Sequence, residues 1–131
     1  MKLVFDTNIL VSALLFPGSR GEAALRRIAE EKDELVLSKP ILDELLGILG
    51  RKFSRNADEL ARVAGYLSEF ALSVKPRQRI HVVKDELDNR MLECALAGRA
   101  DAIVTGAGAL LELLEYRGVR ILSLRDYLDG K

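Results

Sequence analysis

Three acids stand out from the twenty Asp and Glu residues of this chain because of where their neighbours put them. Asp6 directly follows the short apolar run Leu3-Val4-Phe5, so it sits where a buried strand ends. Glu44 lies about 60° from Ile41 on a helix whose apolar face is Ile41, Leu45 and Ile48, while its neighbour Asp43 points away. Asp88 has Met91, Leu92 and Ala95 within about 60° of it on the next acidic helix, which centres it on an apolar stripe, whereas Glu93 at about 140° is expected in solvent. A carboxylate on a packed surface needs a cation or hydrogen-bond donors. Each acid also has a plainer reading: a helix cap for Asp6, a side chain reaching solvent for Glu44, a capping arrangement with Asp85 for Asp88. If the three converge on one rim, their mutual repulsion raises their pKa values unless a cation neutralises them. Mg²⁺ or Mn²⁺ suits such a set. The chemistry that ion serves is activation of water and stabilisation of a phosphate under in-line attack, which is phosphodiester hydrolysis.

The rest of the composition narrows the alternatives. One cysteine, Cys94, and one histidine, His81, exclude an intrachain disulfide and a multi-Cys or multi-His metal site, leaving a hard, oxygen-bound ion. Lys+Arg 20 against Asp+Glu 20 gives zero formal charge, which excludes a strongly basic coat protein or an acidic tail without excluding a nucleic-acid substrate. Asp6 and Asn8 interrupt the only signal-like stretch, and no window reaches the roughly 20 apolar residues of a membrane span, so a soluble cytoplasmic protein is expected. A chain of 131 residues is read as one domain, 1–131, with enough apolar residues (49%) for a core.

Positioning three distant acids requires a scaffold of alternating elements. Leu3–Phe5, Leu35–Leu37, Ile80–Val83, Ala102–Val104 and Arg120–Leu122 read as short strands, apolar but for His81 and Arg120. Helical patterns span about 20–31, 39–51, 57–71, 85–98 and 110–116, with Ser38 and Asp85 as caps, Pro40 in a first turn and Gly98 at a helix end. Apolar strands alternating with helices predict an α/β fold, a three-layer α/β/α sandwich around a parallel sheet of about five strands. In such sheets the site lies at the carboxyl ends of the strands. Asp101 precedes its strand and lies roughly 13 Å from that edge, whereas Thr105 occupies it.

These residues resemble the PIN-domain family of metal-dependent ribonucleases, often the toxin half of toxin–antitoxin pairs. The likeness is carried by Leu3-Val4-Phe5-Asp6-Thr7-Asn8-Ile9-Leu10, by Ser38 to Leu45, and above all by Asp85 to Ala95 followed by Ala100 to Gly106. The resemblance implies that Asp6, Glu44 and Asp88 are the catalytic, metal-binding acids, that Asn8 and Thr105 are supporting polar groups, and that the cofactor is Mg²⁺ or Mn²⁺. It also implies an RNA substrate, a homodimer and an antitoxin protein partner. One departure matters. Where family members continue after Thr-Gly with acids, this chain has Ala107 and Ala109, so the implied activity is weakened or lost. The alternative is a catalytically silent module of the same shape that binds RNA or an antitoxin. A phosphoacceptor signalling domain ranks lower, because Leu37 and Leu122 are followed by serines where such a domain needs aspartate and lysine. Arg51, Lys52 and Arg55, and separately Lys75, Arg77, Arg79, His81 and Lys84, form basic clusters able to meet phosphates or simply water.

Overall fold

The computed structural model describes residues 1–130. The elements follow in the order β1 (Lys2–Phe5), α1 (Thr7–Leu15), α2 (Arg20–Ala29), β2 (Glu34–Ser38), α3 (Lys39–Phe53), α4 (Ala57–Phe70), β3 (Ala71–Val74), α5 (Glu86–Ala97), β4 (Ala102–Val104), α6 (Gly108–Leu113), β5 (Glu115–Tyr116), β6 (Val119–Leu122) and α7 (Leu124–Leu128). The sheet order is β3-β2-β1-β4-β6-β5. The first five strands in that order pair parallel, and the two-residue β5 pairs antiparallel with β6 at the edge. Consecutive residues of β1, β2 and β4 are buried, which requires helices on both faces of the sheet. The core is the interior of this three-layer α/β/α sandwich, as expected.

Topology, not composition, places the functional edge. From β1 the chain steps outward to β2 and β3, then returns past β1 to β4 and continues the other way to β6. The connections therefore diverge between β1 and β4, and a crevice opens outside their carboxyl ends. Helix α5 crosses this centre, touching β1, β2 and β4. It can lie close because a side chain at Gly98 would collide with Val36 of β2.

Several boundaries differ from expectation, and three have a clear cause. Ile80–Val83 is not a strand: the Ile80 N–H donates to Glu93, and the Val82 and Val83 N–H groups donate to Asn89, so side chains of α5 take the bonds a ladder would use. The third parallel strand is instead Ala71–Val74, which follows α4 without a breaker and leaves Leu72 exposed at the sheet edge. The helix expected to reach Tyr116 stops at Leu113, where Leu114 turns to φ +60° and the chain folds back as β5 against β6. Five parallel strands are present, but one is not the segment expected.

Candidate active site

Asp6 ends β1 and begins α1. Its backbone is extended (φ −55°, ψ 143°), and its N–H continues the sheet by donating to the Val104 carbonyl at 2.9 Å. Its carboxylate caps α1, accepting from the Asn8 N–H at 3.0 Å. The other oxygen accepts from the Thr105 hydroxyl at 2.6 Å, a bond between residues 99 apart in sequence. Thr105, fully buried at the end of β4, accepts in turn from the Ala107 N–H at 3.0 Å. The two central strands are thus tied at their carboxyl ends by a carboxylate and a hydroxyl. Asn8 is exposed in the first turn of α1, next to this pair.

Asp88 reaches the same rim from α5. Asp85 caps that helix, accepting from the N–H groups of Leu87 and Asp88. The Asp88 side chain points inward, as the apolar stripe required, and is 9% exposed. Burial, then the charges of Asp85 and Asp6, push its carboxyl up to about 6. Its carboxylate makes no hydrogen bond or ion pair among the described residues. A buried, partnerless carboxylate facing a second one is a local deficit of positive charge.

Glu44 occupies the second turn of α3, half-buried beside Ile41 and Leu45, while Asp43 is exposed and pairs with Lys39 at 2.7 Å. Glu44 has no hydrogen-bonded or charged partner among the described residues. It also adds nothing resolvable to the electrostatics of Asp88, to which Asp85 and Asp6 contribute. Among the described residues no three His, Cys, Asp or Glu side chains come together closely enough to hold a metal. The structure therefore joins Asp6, Thr105 and Asp88 electrostatically and by hydrogen bonds, and leaves Glu44 beside rather than inside that group.

The donor set still fits a hard divalent ion. Mg²⁺ commonly takes one or two carboxylates and keeps several waters. Asp6 and Asp88 supply two largely buried carboxylates, and Asp88 has no hydrogen-bonded or oppositely charged partner of its own among the described residues. Ala107 occupies the N-cap of α6 with no side-chain acceptor, and Ala109 follows in its first turn. Neither offers an oxygen to the rim.

Other polar groups were not legible from the sequence. Glu93, expected in solvent, is 4% exposed; it accepts from the Ile80 N–H at 2.7 Å and pairs with Arg90 at 3.0 Å. Asn89 is wholly buried and holds both N–H and C=O of Val83. The signal is the unbroken run of buried residues from Asp88 to Ala95, which only a helix covered on almost all sides can show. Ser38 stands at the N-cap of α3 but makes no capping bond; its hydroxyl is buried beside Cys94, whose thiol burial pushes up to about 12. Cys94 is thus an inert packing residue. Asp101 accepts from the Lys2 N–H at 2.8 Å at the amino end of the sheet, away from the rim.

A family model described as PIN domain matches residues 2–107. An uncharacterized protein of Methanocaldococcus jannaschii is 31% identical over 117 residues, which span 86% of this chain and 75% of that one. Among solved structures, VapBC2 of Rickettsia felis bound to a DNA fragment from its promoter aligns with a TM-score of 0.63 at 18% identity, over 94% of this chain and 98% of that one. VapBC-1 of nontypeable Haemophilus influenzae aligns at 0.61 with 19% identity, over 95% and 99%. FitAcB of Neisseria gonorrhoeae aligns at 0.56 with 16% identity, over 94% and 98%. These three likenesses are of fold.

Proposed function

The chain belongs to the PIN-domain family, and on that premise we propose that it is a divalent-metal-dependent endoribonuclease, the toxin of a toxin–antitoxin pair, with activity reduced by Ala107 and Ala109. The observation that carries the reading is the Asp6–Thr105 bond at the crevice between β1 and β4, with Asp88 facing it from α5. Asp6 and Asp88 hold the ion, Mg²⁺ or Mn²⁺, and Glu44 completes the set by turning toward the rim. When bound, such an ion neutralises the carboxylates, lowers the pKa of a coordinated water and stabilises charge on the phosphate.

The protein's own contribution is orientation. Thr105 holds one Asp6 oxygen by its hydroxyl, and the Asn8 N–H holds the other, so the carboxylate cannot rotate away from the crevice. Asp88 releases its proton near pH 6, so at neutral pH it is mostly ionised and ready for a cation. Asn8, exposed beside Asp6, is placed to touch substrate oxygens. Acids at 107 and 109 would orient the attacking water or widen the metal set; alanine does neither.

The toxin half of the reading has its own support. An open groove of about 410 Å³ is lined by Leu14, Leu15, Leu49, Val63 and Tyr66, together with Arg55, Glu59 and Arg62. It suits the apolar face of an antitoxin helix. Solved relatives in fold are the VapBC and FitAcB structures. Homodimerisation in the cytoplasm completes the proposal. No helix among the described residues is long and apolar enough to cross a membrane.

The test is cleavage of single-stranded RNA with Mn²⁺ or Mg²⁺, abolished by chelator and by Asp6→Asn. Undiminished cleavage in excess chelator would defeat the reading. The lack of a three-carboxylate cluster among the described residues, together with Ala107 and Ala109, favours a second reading, a silent module that binds RNA or antitoxin without cutting. Restoring Ala107→Asp with Ala109→Asp separates the two: cleavage that appears only in the restored protein makes this chain an inactive form of a nuclease.

A further inference from the structure

The ten residues 75–84 contain Lys75, Arg77, Arg79, His81 and Lys84 and no acid. They form no helix or strand, yet they are fastened. Glu93 accepts from the Ile80 N–H, Arg90 donates to the Ile80 carbonyl at 3.0 Å, and Asn89 bonds the backbone of Val82 and Val83. Three buried polar side chains of α5 thus fix an irregular, exposed, basic segment. A buried polar network of this kind is costly unless complete, and it rigidifies what it holds.

The segment walls two adjoining hollows, of about 830 and 370 Å³, which share residues 74–78. Lys75, Arg77 and Arg99 line the larger one, and among the described residues none of them has an acidic partner. Some exposed cations elsewhere are paired, Arg26 with Glu22, Arg55 with Glu59 and Arg125 with Asp129, while Arg20, Arg51, Lys52 and Arg62 have no acidic partner among the described residues but do not share a hollow with one another as these three do. Glu93 also touches the hollow, but its oxygens are taken by the Ile80 N–H and by Arg90. The smaller hollow ends at Lys39 and Pro40, immediately after Ser38. Ser38 pairs with Val74, and β2 runs parallel to β1, so this hollow ends at the same carboxyl edge of the sheet as Asp6.

We infer that this groove is the track for the RNA backbone on one side of the scissile phosphate, with Lys75, Arg77 and Arg99 each meeting a phosphate. The inference rests on the ribonuclease reading and adds to it the surface that holds the substrate. Lys75 and Arg77 follow the carboxyl end of β3 and Arg99 follows α5, so the three unpaired cations are spread along the larger hollow and match a repeating anion. An acidic protein segment is the other polyanion that could lie there, and the test includes it.

The experiment measures binding of a fluorescent single-stranded RNA of about 12 nucleotides to the full chain by anisotropy, in chelator, across a salt series. Lys75→Gln/Arg77→Gln/Arg99→Gln is compared with Arg20→Gln/Lys32→Gln/Arg125→Gln, which removes equal charge elsewhere. All six positions are exposed, so neither triple disturbs the core. Each lost phosphate contact removes about 0.7 from the slope of log K against log salt. The groove triple should therefore be shallower by about 2 and bind at least tenfold more weakly at about 50 mM salt, with the control triple near wild type. Equal affinities and slopes in the two triples, no RNA binding by the wild-type chain, or loss of an acidic peptide's binding instead of RNA's, each overturn the inference. Cleavage is scored separately in Mn²⁺ with the 107/109 acids restored. If cleavage occurs while the groove triple binds normally, the track is wrong and the nuclease stands; if the groove triple loses RNA but no variant cleaves, the reverse holds.

Discussion

Asp88→Asn should make the metal-free protein more stable, although it removes a residue assigned to the site. In the unfolded chain the carboxyl ionises near 3.8; in the folded protein burial, Asp85 and Asp6 delay this to about 6. Between those values the native state holds the extra proton, so stability falls as pH rises through the window and stays lower above it. The full difference corresponds to about 3 kcal/mol. Solvent at the rim and the favourable field of the first turn of α5 reduce this to about 1–2 kcal/mol. Asn keeps the volume and removes the charge, so its melting temperature at pH 7.5 should exceed wild type by roughly 3–8 °C. At pH 4 the advantage should shrink to about 0.5 kcal/mol, because the folded carboxyl is protonated while the unfolded one is about half ionised, and it should vanish at lower pH. Adding Mn²⁺ should reverse the order: wild type gains about 2.7 kcal/mol at a hundredfold excess over Kd, and the variant far less. Thermal melts at both pH values, with and without Mn²⁺, decide the matter. An Asn variant no more stable at pH 7.5, or equally favoured at pH 4, would refute the argument that this acid is held at a cost for a cation.

Other substitutions probe the remaining links. Thr105→Val keeps the shape but strips Asp6 and the Ala107 N–H of a partner; urea unfolding should show a loss of about 1–3 kcal/mol, and Mn²⁺ stabilisation should shrink with it. Asn89→Ala strips the part-buried Val82 and Val83 backbone of its partner; about 1–2 kcal/mol should be lost, with hydrogen exchange accelerated at 82 and 83 first. Glu44→Gln should leave metal-free stability within about 0.5 kcal/mol, since no described residue pairs with Glu44, while weakening Mn²⁺ binding measured by calorimetry. Unchanged Mn²⁺ affinity there would remove Glu44 from the metal set.

The local pattern determined a good deal. Leu3-Val4-Phe5 has no polar residue to expose, so it had to be a strand buried on both faces, and Asp6 had to stand at its end. The 3.6-residue period put Asp88 on the buried side of α5 and Asp43 on the open side of α3. Periodicity names a face; it does not say what will lie against that face or how wide the cover is. Glu93 was therefore misplaced: an irregular segment far from the sheet centre packs on the far side of α5 and buries it. The same holds for Ile80–Val83, whose apolar run suits a strand but whose backbone bonds were claimed by helix side chains. The Thr105–Asp6 bond exists because the chain returns past β1 to place β4 beside it, an ordering set by the packing of whole elements and absent from any window of residues. So the types of the acids and their inward aim were local properties. Their separation was not: Asp6 and Asp88 share a field while Glu44 stands apart, because that depends on how α3 and α5 lean on the sheet, which only the assembled core decides.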